Sequence, residues 1–262
     1  MRSLISARPR ATTSATSKVV IALSGFLGRP EDWDLIPDLV PDGWSLLTID
    51  LWAKPPVDYA AFADDLAKEI KEQTPDAKVR VLLGYSLGGR LALHALTTHT
   101  DLFDGAIIVS ANPGLPSQRE RDIRLQADAK WAERFRQDDW QTLMSDWNNQ
   151  AALKTSNASA SAPHQAPALT RNEADFDRSA LAASLEVWSL GAQADLRAKI
   201  QQLARPIVFV TGELDSKFTV LASSLAHERL HEHVVVERAG HRVPWDAPSQ
   251  FRSVLAKYLL RW

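Results

Sequence analysis

The run Gly84-Tyr85-Ser86-Leu87-Gly88 sets a hydroxyl between two glycines in the spacing G-x-S-x-G. A serine hydroxyl does little at neutral pH unless a base lies within hydrogen-bond reach. An imidazole is the usual base, and a carboxylate orients it. His241, in Ala239-Gly240-His241, and Asp215, in Thr211-Gly212-Glu213-Leu214-Asp215, follow Ser86 in the order Ser, acid, His. Glu213 stands two residues from Asp215 and is a second possible acid. His94, His99, His164, His227, His231 and His233 fall mostly in helical or loop segments and read as surface residues. Charge that develops on a reacting oxygen needs fixed donors. The backbone N–H of Leu87, directly after Ser86, is one candidate. The N–H of Phe26, in Ser24-Gly25-Phe26-Leu27-Gly28, is the other.

Each of these groups needs an element to carry it. Val19 to Leu23 is a β-branched run that ends at Ser24, and Val79 to Leu83 is another that ends at Gly84. Further buried strands read at Leu46 to Ile49, Ala106 to Val109, Pro206 to Val210 and His233 to Glu237. Helical periodicity follows Ser86 over Leu87 to Leu96. It places Tyr59, Phe62, Ala63, Leu66 and Ile70 on one face, and it closes the chain over Pro248 to Leu260. Strands alternating with helices predict an α/β fold with a mostly parallel sheet covered on both faces. From Leu115 to Gly191 the rhythm stops, and helical segments rich in Arg, Asp and Trp replace it. An Ala/Ser/Pro stretch, Thr155 to Thr170, interrupts them and reads as a mobile loop. The expected division is a core of 1–114 and 190–262 with a helical cap at 115–189.

Composition narrows the function classes. The 262 residues suit one α/β sheet with an insertion. A net charge of −2 gives no footprint for nucleic acid. No apolar run approaches the roughly 20 residues that span a bilayer. With no cysteine, disulfides, thiolate nucleophiles and Cys-based zinc sites are excluded. Met1 to Lys18 is basic and rich in Ser and Thr without an apolar core, and reads as a short strand and a polar loop. A cytoplasmic location is the expectation.

Arg90 lies one helical turn beyond Ser86, where it can face the floor of the site. The cap adds Arg119, Arg121, Arg124, Arg134, Arg136, Arg171 and Arg178. Most helical arginines are simply solvated. A guanidinium next to the nucleophile, under a cap this rich in Arg, points to a substrate with several carboxylates, which Arg binds bidentately.

Longer motifs carry a resemblance. Gly25-Phe26-Leu27-Gly28 occurs with Glu31-Asp32-Trp33, and the nucleophile run continues as Gly84-Tyr85-Ser86-Leu87-Gly88-Gly89-Arg90. Asp122 to Trp131, Trp147, Arg171-Asn172, Leu181-Ala182 and Gln193 with Leu196 extend the pattern. Gly212-Glu213-Leu214-Asp215-Ser216-Lys217-Phe218 and Ala239-Gly240-His241 complete it. From about Val19 to Phe251 the chain resembles the 2-succinyl-6-hydroxy-2,4-cyclohexadiene-1-carboxylate synthases, menaquinone-pathway lyases of the α/β-hydrolase superfamily.

The resemblance implies an α/β-hydrolase fold and a lyase that removes the proton α to a succinyl ketone and expels pyruvate. Its substrate carries three carboxylates. Arg90, Arg124 and Arg171 match the family's arginine positions, with Arg178 the alternative to Arg171, and all three should converge on one pocket above Ser86. Tyr85 and Trp147 match pocket positions. No metal and no organic cofactor is implied. Two segments depart from the family pattern: Ser24 stands where His is usual, and Leu51-Trp52-Ala53-Lys54-Pro55-Pro56 replaces a Pro-Gly-His-Gly turn. Two other readings stay open. One is a hydrolase of esters or C–C bonds that uses Ser86 as covalent nucleophile, and the other is a binding protein on the same fold.

Overall fold

A computed structural model describes residues 3–6, 17–157, 171–226 and 230–262. Seven strands form one sheet: β1 (Ile5–Ser6), β2 (Lys18–Leu23), β3 (Trp44–Ile49), β4 (Val79–Tyr85), β5 (Gly105–Val109), β6 (Ile207–Gly212) and β7 (His231–Val236). Their order is β1-β3-β2-β4-β5-β6-β7. All neighbours are parallel except β1, which pairs antiparallel with β3 through Ile5 opposite Ile49. The last strand lies two residues earlier than its sequence pattern suggested at its start. His231, polar by type, enters it by burying its ring and bonding Nε2 to the Ile200 carbonyl at 2.7 Å.

A strand buried on both faces sends alternate residues to opposite sides. In β2, Val19, Ile21 and Leu23 join one apolar cluster, and Val20 and Ala22 join the other. The first cluster holds α1 (Tyr59–Gln73) and α2 (Leu87–Thr98) against the sheet. The second holds the helix Pro248–Leu259 through Phe251, Leu255 and Leu259. Tyr59, Phe62, Ala63, Leu66 and Ile70 form the buried stripe of α1, as the 3.6-residue period requires.

Between β5 and β6 lie α3 (Gln118–Gln137), α4 (Trp140–Asn148), α5 (Ala151–Asn157) and α6 (Arg178–Val187). Ser117 and Glu120 form a capping box that starts α3. A third apolar cluster joins α3, α4 and α6 through Ala132, Phe135, Leu143, Leu181 and Leu185, and it takes in Leu27 from the loop after β2. Thr155 to Asn157 end α5. The rest of the Ala/Ser/Pro stretch, 158–170, lies outside the described residues, as does the N-terminal loop at 7–16. Among the described residues no helix is long and apolar enough to cross a membrane.

The winding of the sheet reverses between β2 and β4, which are neighbours although β3 separates them in sequence. In open α/β sheets that reversal opens a crevice at the carboxyl ends of the strands. The loop after β2 carries Phe26, and the residue after β4 is Ser86.

Candidate active site

Ser86 links β4 to α2 with φ 51° and ψ −110°. A left-handed backbone is unfavourable for a residue with a Cβ and persists only where its surroundings enforce it. Here Ser86 N–H bonds the Val109 carbonyl at 2.9 Å, and its own carbonyl accepts from Arg90 N at 3.1 Å. The turn also needs Gly88: a Cβ there would lie 2.3 Å from the Leu23 carbonyl oxygen. That crowding brings the β2 loop against the turn.

Ser86, His241 and Asp215 form one hydrogen-bonded chain. Ser86 Oγ lies 3.2 Å from His241 Nε2, and His241 Nδ1 lies 2.7 Å from Asp215 Oδ2. Drawn with the Nδ1–H tautomer, His241 donates to Asp215 and accepts from Ser86. Asp215 and His241 are both buried, at 4% and 3% exposure. Asp215 occupies the N-cap position of the helix Ser216–Leu225 yet makes no side-chain cap bond, because its carboxylate turns to the imidazole. The neighbouring carboxylates are engaged elsewhere: Glu213 accepts from Arg238 N at 2.9 Å, and Asp246 accepts from Gly240 N at 2.9 Å. Tyr85 and Phe218 pack on the His241 ring, with centroids at 5.7 and 4.7 Å. Burial pushes the Tyr85 hydroxyl well above its ordinary pKa, so it stays protonated.

Two N–H groups flank Ser86. Leu87 is the first residue of α2, so its N–H has no acceptor within the helix. Gly25 to Gly28 form a tight turn closed by Gly28 N–H to the Gly25 carbonyl at 2.9 Å, with Leu27 at φ 61°. Phe26 N–H makes no bond to a backbone carbonyl among the described residues. Phe26, Tyr85, Ser86, Trp147, Arg171 and Arg242 are among the residues that line a cavity of about 60 Å³. Ligand sites usually hold several hundred Å³.

The arginines do not converge as expected. Arg171 lines the cavity, but its two Nη groups grip both oxygens of buried Asp32, with Nη1 to Oδ1 at 2.9 Å. Its Nε is buried without a partner. Arg90 and Arg124 are not among the cavity's lining residues. Arg90 Nη1 bonds the Tyr59 hydroxyl, the Trp188 carbonyl at 2.9 Å and Gln193 Oε1 at 3.3 Å, all neutral acceptors. Burial lowers the Arg90 pKa and pushes that of Tyr59 up to about 12. Arg124 gives its Nε to both oxygens of Asp128 at 2.8 Å, and Ser189 Oγ donates to the same carboxylate at 2.7 Å. Arg124 and Asp128 act electrostatically on both Arg90 and Tyr59, so these four groups form one polar cluster. Their own partners hold the arginines apart: Asp32 grips Arg171 at the cavity wall, whereas the Tyr59 hydroxyl, the Trp188 carbonyl and Gln193 hold Arg90 outside the cavity lining. Arg178 caps α3 by bonding the Phe135 and Asp138 carbonyls at 2.6 Å, so it does not replace Arg171.

Trp147 lies 4.7 Å from Phe26 and lines the same cavity. Arg242 had no signal of its own in the sequence. It is buried beside His241, lines the cavity and donates to Asn148 Oδ1 of α4 at 2.5 Å. Its place directly after the base histidine was the only available cue. His94 and His231 are not surface residues: they are 8% and 1% exposed. His94 stacks on Tyr59 at 4.3 Å, one turn beyond Arg90 on the buried side of α2. Among the described residues no group of three or more His, Cys, Asp or Glu could hold a metal ion.

The chain matches the family model for the alpha/beta hydrolase fold over residues 18–248. It is 32% identical over 247 residues to the 2-succinyl-6-hydroxy-2,4-cyclohexadiene-1-carboxylate synthase of Pectobacterium atrosepticum, covering 92% of this chain and 93% of that one. To the synthase of Citrobacter koseri it is 34% identical over 245 residues, with the same coverage. Among solved structures, MenH from S. aureus has a TM-score of 0.85 at 18% identity, covering 97% of both chains. A thermophilic esterase from Thermogutta terrifontis has a TM-score of 0.75, also at 18% identity, covering 100% of this chain and 98% of that one. At such identity the structural likeness speaks for the fold alone, which carries more than one chemistry. The near-full-length sequence identity is more specific: the chain belongs to the 2-succinyl-6-hydroxy-2,4-cyclohexadiene-1-carboxylate synthase family, built on the α/β-hydrolase fold.

Proposed function

We propose that the protein is a pyruvate-releasing lyase of menaquinone biosynthesis acting on 2-succinyl-5-enolpyruvyl-6-hydroxy-3-cyclohexene-1-carboxylate. The observation that carries this reading is identity of 32% and 34% to synthases over 92% of the chain. Ser86, made basic by His241 and oriented through Asp215, takes the proton α to the succinyl ketone. The electron pair of the C–H bond forms an enolate on the ketone oxygen, held by the N–H groups of Phe26 and Leu87. Return of that pair through the ring breaks the C–O bond to the enolpyruvyl group, which leaves and is protonated to pyruvate. The ketone is its own electron sink, so no metal or organic cofactor takes part.

The substrate is a tricarboxylate. Arg90 offers its guanidinium among neutral acceptors only, so a substrate carboxylate would supply the missing countercharge. Arg124 presents an Nη edge without a hydrogen bond among the described residues. Arg171 receives a carboxylate at the cavity wall while Asp32 fixes its plane. Tyr85 and Trp147 shape the same wall. Residues 115–189 serve as a cap on the core of 1–114 and 190–262, supported by the separate apolar cluster of α3, α4 and α6. The expected place of work is the cytoplasm; a net charge of −2 gives no footprint for nucleic acid, and among the described residues no helix is long and apolar enough to cross a membrane.

The test supplies the succinyl-enolpyruvyl substrate and follows pyruvate. Pyruvate release with no covalent substrate adduct on Ser86 by mass spectrometry supports the lyase. An acyl-Ser86 trapped during turnover, or efficient cleavage of aryl esters without pyruvate release, establishes a hydrolase instead.

A further inference from the structure

Leu27 adopts φ 61° in the Gly25–Gly28 turn. A leucine holds that conformation only under outside constraint. Part of the constraint is apolar, since Leu27 is fully buried in the cluster shared with α3, α4 and α6. The polar part comes from the segment after β3. Trp52 Nε1–H donates to the Gly28 carbonyl at 2.7 Å. Gly28 is thereby held through both of its backbone polar groups, because its N–H already closes the turn on the Gly25 carbonyl. The Trp52 ring also meets the Phe26 ring edge-on at 5.7 Å.

Trp52 is itself held firmly. Its backbone N–H bonds Asp50 Oδ1 at 2.9 Å, and Ala53 N bonds the Asp50 carbonyl at 3.3 Å. Its ring rests against Phe176 at 6.2 Å and Trp188 at 6.5 Å. On the far side of the turn, Ser24 Oγ donates to the Arg29 carbonyl at 3.2 Å. The turn carrying the Phe26 N–H is thus tied at its end by Trp52 and across its base by Ser24. Trp52 is not among the residues lining the Ser86 cavity, so its effect on the reacting atoms runs through the turn.

We propose that Trp52 is a positioning residue for the oxyanion site: its indole N–H and ring fix the Gly25–Gly28 turn so that the Phe26 N–H points at the developing oxyanion. The inference rests on the reading of Phe26 as an oxyanion donor. Deleting one such donor outright typically costs 10²–10³-fold in rate, and loosening its support should cost less, about tenfold.

Two replacements remove the N–H. Trp52→Phe keeps a ring, and exchange of the indole for its benzothiophene isostere keeps shape and packing as well. Two readouts separate this inference from the assigned reaction. One is pyruvate release. The other is labelling of Ser86 by a fluorophosphonate, in which the Oγ–P bond forms, the P–F bond breaks, fluoride leaves and the proton passes to His241. The phosphoryl oxygen in that reaction occupies the same N–H pair whatever the natural substrate is. The expected result is a roughly tenfold fall in both kcat and labelling rate. KM should stay within about twofold, with the pH profile of labelling unmoved, as for an interaction made only in the transition state. Labelling at the wild-type rate in the isostere overturns the proposal. So does a rise in KM alone, which would make Trp52 a substrate wall, or a shifted pH profile, which would place its effect on His241. A wild type that is labelled but releases no pyruvate defeats the lyase reading and leaves the labelling comparison intact.

Discussion

Around Ser86 the polar side chains are placed by strand ends, whereas in α3 to α6 they are placed by one another. His241 and Asp215 each follow a strand, and their geometry is fixed by an apolar sheet buried on both faces. Among α3 to α6, Arg134 reaches Asp138 and Asp146, Arg136 reaches Glu186, and Arg178 reaches Glu173. Most of these pairs are open to water, where an ion pair contributes little. One pair nearby is different, the buried Arg171–Asp32 contact that ties the segment before α6 to the short helix Pro30–Leu35. The difference teaches where precision is stored: at the strand ends it lies in backbone and packing, and beside the helices between β5 and β6 it rests on one dry polar contact.

The largest effect should come from the core. Ser86→Ala and His241→Ala should each lower kcat for pyruvate release by ~10³-fold or more, and the double variant little further, because the pair acts as a unit. Multiplicative losses in the double variant would mean the two act separately. Asp32→Ala tests the dry contact. It leaves the Arg171 charge buried and unpaired, and chemical denaturation should report a loss of about 3–5 kcal/mol. A loss below about 1 kcal/mol would place this pair with the solvated ones. Arg90→Ala should raise KM by roughly 30- to 1,000-fold, about 2–4 kcal/mol, as a substrate carboxylate loses its partner. An unchanged KM removes Arg90 from substrate binding.

A smaller effect is tied to pH. Burial, and then the positive charges of Arg90 and Lys199, push the His94 pKa down to about 4. Below the ordinary value near 6.5 the unfolded chain takes up a proton that folded His94 refuses. Stability should therefore fall as pH drops from about 6.5 towards 4, by at most ~1.4 kcal/mol per unit from this group. His94→Phe keeps the stack on Tyr59 and should flatten the decline of Tm in that window. An identical decline in both proteins assigns it to other groups. The smallest change should follow Arg136→Ala, within about 0.5 kcal/mol, because its Glu186 partner is exposed.

The same contrast governs what the sequence revealed. Strands β2, β4 and β6 announce themselves as apolar β-branched runs, and each ends in a glycine-containing turn that the chemistry requires. Ser86, Asp215 and His241 were legible because a strand end fixes where the next side chain goes. The choice of Asp215 over Glu213 was not, since it depends on which carboxylate the turn aims at the imidazole. Arg171 was named, but its partner Asp32 lies 139 residues away, and no periodicity links them. Arg242 and Trp52 escaped for the same reason. Asn148 meets Arg242 only after α4 has packed over the sheet, and Gly28 meets Trp52 only once β2 and β3 have paired side by side. His94 misled because a histidine on an amphipathic helix is usually solvated, and here the Tyr59 ring covers it.

The aromatic packing over the site has an optical consequence. The chain contains nine tryptophans. Trp131 lies 5.0 Å from Trp147, and Trp52 lies 6.5 Å from Trp188. Both Trp147 and Trp52 touch Phe26. Indoles this close pass excitation energy to one another, so light absorbed by several of them drains towards those with the lowest-energy surroundings. Trp147 is the member of this relay that lines the Ser86 cavity. An anionic ligand that displaces water there changes the field on one ring and thereby the emission of the group. The protein thus carries its own dye in the wall of the Ser86 cavity, and native fluorescence can time the filling of that cavity without any label.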